Sequence, residues 1–130
     1  MKKMLRTLAL SLFSIPLVYA SEDECLARIL YQESRGESLE GAATLGQAAV
    51  ELALNMQTTL CKLEKSGLVH SKEIPKPLKP AFTALATVSR MHPRLLSKGA
   101  DHWDTGGRPH MRGKIKRVIG AHTFYQLTSK

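Results

Sequence analysis

Glu33 stands on a stripe of a helix that should otherwise be apolar. Leu26, Ile29 and Leu30 recur at helical spacing, and Glu33 follows Ile29 by four residues and Leu30 by three. Gly36 then marks the end of the helix. A carboxylate on such a face loses hydration. That raises its pKa and lets it donate a proton near neutral pH. An exposed or salt-bridged glutamate is the ordinary alternative, and periodicity alone leaves both open. Proton donation often works with a second carboxylate, and Glu37, Asp101 and Asp104 are the candidates. Glu37 lies beyond Gly36, which breaks the helical geometry to Glu33; its ordinary role is to bond turn amides or to pair with Arg35. Asp101 and Asp104 lie in a glycine-rich stretch where aspartates commonly form turns.

The elements that must position these groups are mostly helical. Ser21 and Glu24 have the spacing of a capping box, so a first helix is expected from the region of Ser21 to about Arg35. Ser38 can cap a second helix over roughly Leu39 to Met56. That helix is rich in glycine and alanine, which lets neighbouring backbones approach it, so it should be central. A short helix is expected around Thr59 to Lys65, stopped by Gly67, followed by a proline-rich connector from Val69 to Pro80. A fourth helix covers about Pro80 to Met91, with Phe82, Leu85 and Val88 on one face. From Ser97 to His110 the glycines read as a loop or irregular hairpin. Val118 to Tyr125 mixes β-branched and aromatic residues and reads as one short strand.

Composition bounds the setting. The chain has 130 residues, enough for one domain. Lys2, Lys3 and Arg6 precede an apolar run from Leu8 to Leu17, and Val18 and Ala20 give a small-residue cleavage pattern. Residues 1–20 therefore read as a secretory signal, leaving 21–130 as the working domain. An uncleaved anchor is the alternative, although the run is short and broken by Pro16. The whole chain carries +8; the signal holds three of the 19 Lys and Arg and none of the 11 acids, which leaves +5. A cationic excess suits an anionic polymer, and export removes most of the weight from nucleic acid. No stable membrane insertion is expected after cleavage. Cys25 and Cys61 are an even pair in an oxidising compartment, which favours a disulfide over two buried thiols. Such a bridge contributes about 3–4 kcal/mol in the chain-entropy model. His92, His102, His110 and His122 lack the spacing of zinc ligands.

Three blocks together resemble the SleB-like cell wall hydrolases, peptidoglycan-lytic enzymes of the spore-cortex type. Leu26 to Glu37 (L-A-R-I-L-Y-Q-E-S-R-G-E) is similar to that family's L-A-x-x-I-Y-x-E-A-R-G-E. Gly99 to Trp103 (G-A-D-H-W) resembles G-A-x-H-[YW], and Ile119 to Tyr125 (I-G-A-H-T-F-Y) resembles I-G-x-H-x-F-Y. The order is also the same. Ser34 and Met56 depart from the family's alanine and arginine, and one extra helical turn separates Glu40-Gly41 from Gly46 to Val50. The resemblance implies an α+β, mainly helical, lysozyme-like fold with a small irregular β part lining a saccharide groove. It implies cleavage of the MurNAc–GlcNAc backbone, with Glu33 as catalytic acid and base. The expected partner is the peptidoglycan glycan strand, engaged by an exported monomer at the cell wall, with no cofactor. A phage endolysin or a secreted wall-remodelling enzyme is the expected setting.

Glycan cleavage needs a proton on the leaving oxygen, and an oxocarbenium-like transition state follows. A muramidase then admits water, usually with a second carboxylate. A lytic transglycosylase lets the sugar's own primary hydroxyl attack, so one glutamate can serve as acid and then as base. With no second acid clearly placed, the transglycosylase is favoured. Expected substrate-binding residues are Glu37, Gln47, Asn55, His102, Trp103, His122 and Tyr125. Trp103 can stack on a sugar or plug the core. His102 and His122 can meet sugar hydroxyls or serve structure. Gln47 and Asn55 lie eight apart on one helix face and can reach substrate or tie down a loop; Tyr125 can orient Glu33 or fill the core. A cationic, non-catalytic wall-binding protein is the rival from another class.

Overall fold

The structure, a computed structural model, describes residues 21–105 and 113–127. The signal expected at 1–20 lies outside them, as does part of the expected loop before residue 113. The architecture is α+β: about half of the described residues are helical, and three antiparallel strands follow the helices. Among the described residues no helix is long and apolar enough to cross a membrane.

Helix α1 covers residues 21–33. Its stripe of Leu26, Ile29 and Leu30 is fully buried, and Cys25 and Ala27 are buried beside it. Ser21 is already inside the helix, so the expected capping box is not formed there. Glu22 instead fastens a neighbouring helix end, its carboxylate accepting the backbone N–H groups of Leu60 and Cys61. At the other end of α1 the Ser34 hydroxyl donates to the Leu30 carbonyl, and Gly36 takes φ 83. That left-handed residue stops the helix at little steric cost.

Helix α2, Leu39–Asn55, is capped by the Ser38 hydroxyl, which accepts from Gly41 N–H. It is the central helix, as its small residues imply; Leu45, Ala48 and Ala49 are fully buried. It packs closely against helix α4, Lys79–Met91. There a Cβ on Gly46 would come within 2.9 Å of the Ser89 Cβ. Helix α4 buries Ala86 and Ser89 and packs Phe82 edge-on against Tyr31 at 5.3 Å. Val88, expected on the buried face, is 51% exposed. Three-residue steps drift backwards on a helix of 3.6 residues per turn, so Val88 lies about 120° from Phe82. Ala86 and Ser89 take its place.

Helix α3, Leu60–Ser66, begins at Thr59, whose hydroxyl accepts from Lys62 N–H, and ends at the left-handed Gly67. It is fastened to α1 in several ways. Cys25 and Cys61 form a disulfide with Cα atoms 5.1 Å apart. Arg28 grips both oxygens of Glu64. That hydrogen bond holds the Glu64 carboxyl below its usual range. The connector continues past Val69 and Ile74, both buried, to a short 3-10 turn at Lys76–Leu78.

Strands β1 (His102–Thr105), β2 (Lys114–Ile119) and β3 (His122–Gln126) form a sheet in the order β1-β3-β2. The tail expected as one strand is thus a hairpin. Ile119 pairs with His122, leaving the two-residue loop Gly120-Ala121, and Gly120 adopts φ 56. A glycine at the first of two loop positions suits a tight reversal, which propensity counting does not register. His102–Thr105, inside the stretch expected to be irregular, is also a regular strand paired with β3. Central strand β3 buries His122, Thr123, Phe124 and Tyr125 in succession.

The α2–α4 contact yields a direct test. Gly46→Ala should destabilise the protein by about 1–3 kcal/mol, as overpacking of a close interface does. Chemical denaturation would show a lower midpoint, and adding Ser89→Gly should recover most of it. An unchanged midpoint in Gly46→Ala would mean that the helices are not so closely apposed.

Candidate active site

Glu33 is half-buried at the C-terminal end of α1. One of its carboxylate oxygens accepts the indole N–H of Trp103, on β1, at 3.1 Å. The two residues share a cavity of about 200 Å³. Asp101 and His102 form one wall of it, and Leu68, Val69 and His70 form another. Leu52 of α2 lines it as well. Larger hollows exist, but they lack this chemistry. One of about 460 Å³ lies among α1, α2 and α4 around the paired Asp23 and Arg90. Another of about 540 Å³ between α2 and α4 is almost wholly apolar. The smaller cavity is set apart not by size but by holding Glu33 and Trp103 together with Asp101 and His102.

Asp101 organises the polar wall. It is completely buried, and a buried carboxylate requires donors. His102 Nδ1 and Leu127 N–H lie 2.8 and 2.9 Å from its Oδ1, and Asn55 Nδ2 lies 3.0 Å from its Oδ2. The donors come from β1, from the segment after β3 and from the end of α2. Asp101 N–H also donates to the Tyr125 carbonyl.

The other candidate residues sort by their partners. Gln47 is buried, and its side-chain oxygen accepts the N–H groups of Leu96 and Ser97. It ties down the loop before β1. Asn55 likewise serves Asp101. Glu37 and His122 meet each other at 2.8 Å, both well buried, and neither lines the Glu33 cavity. The Glu37 carboxylate lies so close over Gly120 that a Cβ there would collide with it. The pair therefore pins the β2–β3 turn onto the segment after α1. The Tyr125 hydroxyl donates to Asp104 at 3.3 Å, not to Glu33, and its ring stacks on His102.

These partners settle where each acid points. Glu37 is held by His122, Asp104 receives Tyr125, and Asp101 is enclosed by its donors. Among the described residues that could hold a metal, only Glu22, Cys25 and Cys61 cluster closely, and both sulfurs there are in the disulfide. The residues that sequence reasoning missed are Leu68, Val69 and His70. They follow the Gly67 stop in a connector without periodicity, so no pattern marks them; only the fastening of α3 to α1 brings them to the cavity. No protein-family model, curated protein or solved structure matches this chain.

Burial of Tyr125, reinforced by the nearby Asp104 charge, pushes its phenol up to about 12. The native state then holds this proton more tightly than the unfolded chain, whose tyrosines ionise near 10. Stability should be full below pH of about 10 and fall as pH rises through about 12. Phenolate absorbance should show a tyrosine that titrates late and disappears in Tyr125→Phe. Titration of every tyrosine near 10 in the folded protein would contradict this burial.

Proposed function

We propose that the protein is a peptidoglycan lytic enzyme that cleaves the MurNAc–GlcNAc backbone, with Glu33 as its proton donor. The observation that carries this reading is the hydrogen bond from Trp103 to Glu33, two residues that line one cavity. Two sequence blocks some seventy residues apart, each resembling a block of the SleB-like hydrolases, meet there at Glu33. The helical body with its small sheet is consistent with the lysozyme-like arrangement that the resemblance implies. In that arrangement the cavity would be the deepest part of a groove for the glycan strand.

Protonation of the glycosidic oxygen by Glu33 turns a poor leaving group into a good one. Trp103 fixes the carboxyl by its N–H and offers its ring face as a platform beside the bond. Glu37, Asp101 and Asp104 all engage other side chains, which favours transglycosylation with one glutamate over hydrolysis with two carboxylates. The product would then carry a 1,6-anhydro end. Export across a membrane, a role as phage endolysin or secreted remodelling enzyme, and action on the wall as a monomer all belong to this reading. The disulfide fits an oxidising compartment.

The rival is a cationic protein that binds the wall without cutting it, and the +5 that remains once residues 1–20 are removed suits it equally. Purified sacculi separate the two. Wild type should release soluble muropeptides, and Glu33→Gln should lower turnover by about 10²–10⁴-fold while keeping its circular dichroism spectrum. Turnover by a folded Glu33→Gln variant at the wild-type rate would overturn the assignment. Co-sedimentation with sacculi and no soluble product at any enzyme concentration would establish the binder instead.

A further inference from the structure

We propose that His102 takes up the proton of the attacking hydroxyl in the Glu33 cavity, held for this role by Asp101. This deepens the glycan-cleavage reading and rests on it; there Glu33 serves as both acid and base, and here the second role passes to His102.

The geometry begins with a buried acceptor. An ionised carboxylate can only accept hydrogen bonds, so the imidazole nitrogen 2.8 Å from Asp101 must carry the hydrogen. That nitrogen is Nδ1. In the neutral ring Nε2 is then left as the acceptor. The Tyr125 ring stacks on the imidazole, centroids 5.7 Å apart and planes 22° from parallel. Two contacts therefore fix the ring, one in its plane and one on its face. The His102 side chain is still 31% exposed, and it lines the cavity that Glu33 lines.

A second carboxylate–histidine pair in the same fold sharpens the contrast. Glu37 and His122 make the same contact at 2.8 Å, but His122 is 3% exposed and lines no part of that cavity. A pair that only holds the fold can be sealed from solvent on both sides. In the Asp101–His102 pair the acid is sealed and the base is open, which is what proton transfer to a ligand requires.

In the reaction, the bond between the muramic C1 and the glycosidic oxygen breaks, and that oxygen takes the Glu33 proton. The C6 hydroxyl oxygen bonds to C1, and its proton passes to His102 Nε2. Glu33 is left as carboxylate and His102 as imidazolium facing the Asp101 charge. One proton passed from His102 to Glu33 through solvent restores the site. The Asp101 charge stabilises the imidazolium, as the buried aspartate of a serine protease triad does.

The test has one arm that needs no substrate. Protein labelled with ¹⁵N in histidine would be observed by long-range proton–nitrogen correlation at a pH where imidazole is neutral. The His102 signal is identified by its loss in His102→Gln. It should report hydrogen on Nδ1; hydrogen on Nε2 would overturn the proposal. In the second arm, sacculus turnover by folded His102→Gln and Asp101→Asn should fall by about 10²–10⁴-fold in kcat, with KM little changed. Asp101→Asn should fold, because the Asn55 carboxamide can turn to accept from it; its own Oδ1 has no partner among the described residues. A wild-type rate in folded His102→Gln, with Glu33→Gln inactive, would overturn this inference alone. Wild-type protein that releases nothing would overturn the cleavage reading and this inference with it.

Discussion

A carboxylate removed from water must be neutralised or surrounded by donors, and Asp101 is surrounded. It lies at the start of β1, and its donors come from the end of α2, from His102 and from the backbone after β3. One buried charge therefore holds three parts of the chain that are far apart in sequence. If any donor moved, the charge would be left partly unsatisfied at a cost of about 1–3 kcal/mol or more. This constraint places β1 where its next residues face α1. Trp103 then reaches Glu33, and His102 lines the same cavity.

The opposite wall depends on a different set of bonds. The segment 68–70 has little regular structure of its own, yet it lines the cavity. Its position follows from α3, which is fixed to α1 by the disulfide, by the Arg28–Glu64 pair and by the Glu22 carboxylate on its first N–H groups. The connector is then caught again where Lys72 N–H donates to the Arg28 carbonyl. Covalent, ionic and backbone contacts here act on the same two helices. The cavity is thus bounded by a buried polar hub on one side and a clamped helix pair on the other.

Much of the helical frame was legible in the sequence because its signals are local. Ser38, Thr59, Gly36 and Gly67 each mark a helix end by their own backbone or side-chain chemistry, and the structure uses all four. The α1 stripe is buried as its spacing implies. The sheet was less legible. Its strands are short, and β1 follows a glycine-rich stretch whose composition suggests a loop. Pairing with β3 decides its conformation, and pairing is not a local property. The hairpin was hidden because Gly-Ala is a weak turn signal until its backbone angle is known.

The site divides in the same way. The half-buried position of Glu33 at the end of α1 was legible from the apolar stripe that leads up to it. The roles of Gln47, Asn55 and Glu37 were not, because a polar side chain that binds a ligand and one that binds a backbone look alike in sequence. Asp101 showed only as an acid in a turn-like stretch. That it is the most enclosed carboxylate near the cavity emerges from the packing of α2 against the sheet. The most direct measurement of the central claim is mass spectrometry of the soluble fragments released from purified peptidoglycan. The account predicts disaccharide–peptide fragments ending in 1,6-anhydro muramic acid. Fragments with free reducing ends, or intact glycan strands with only their peptides cut, would contradict it.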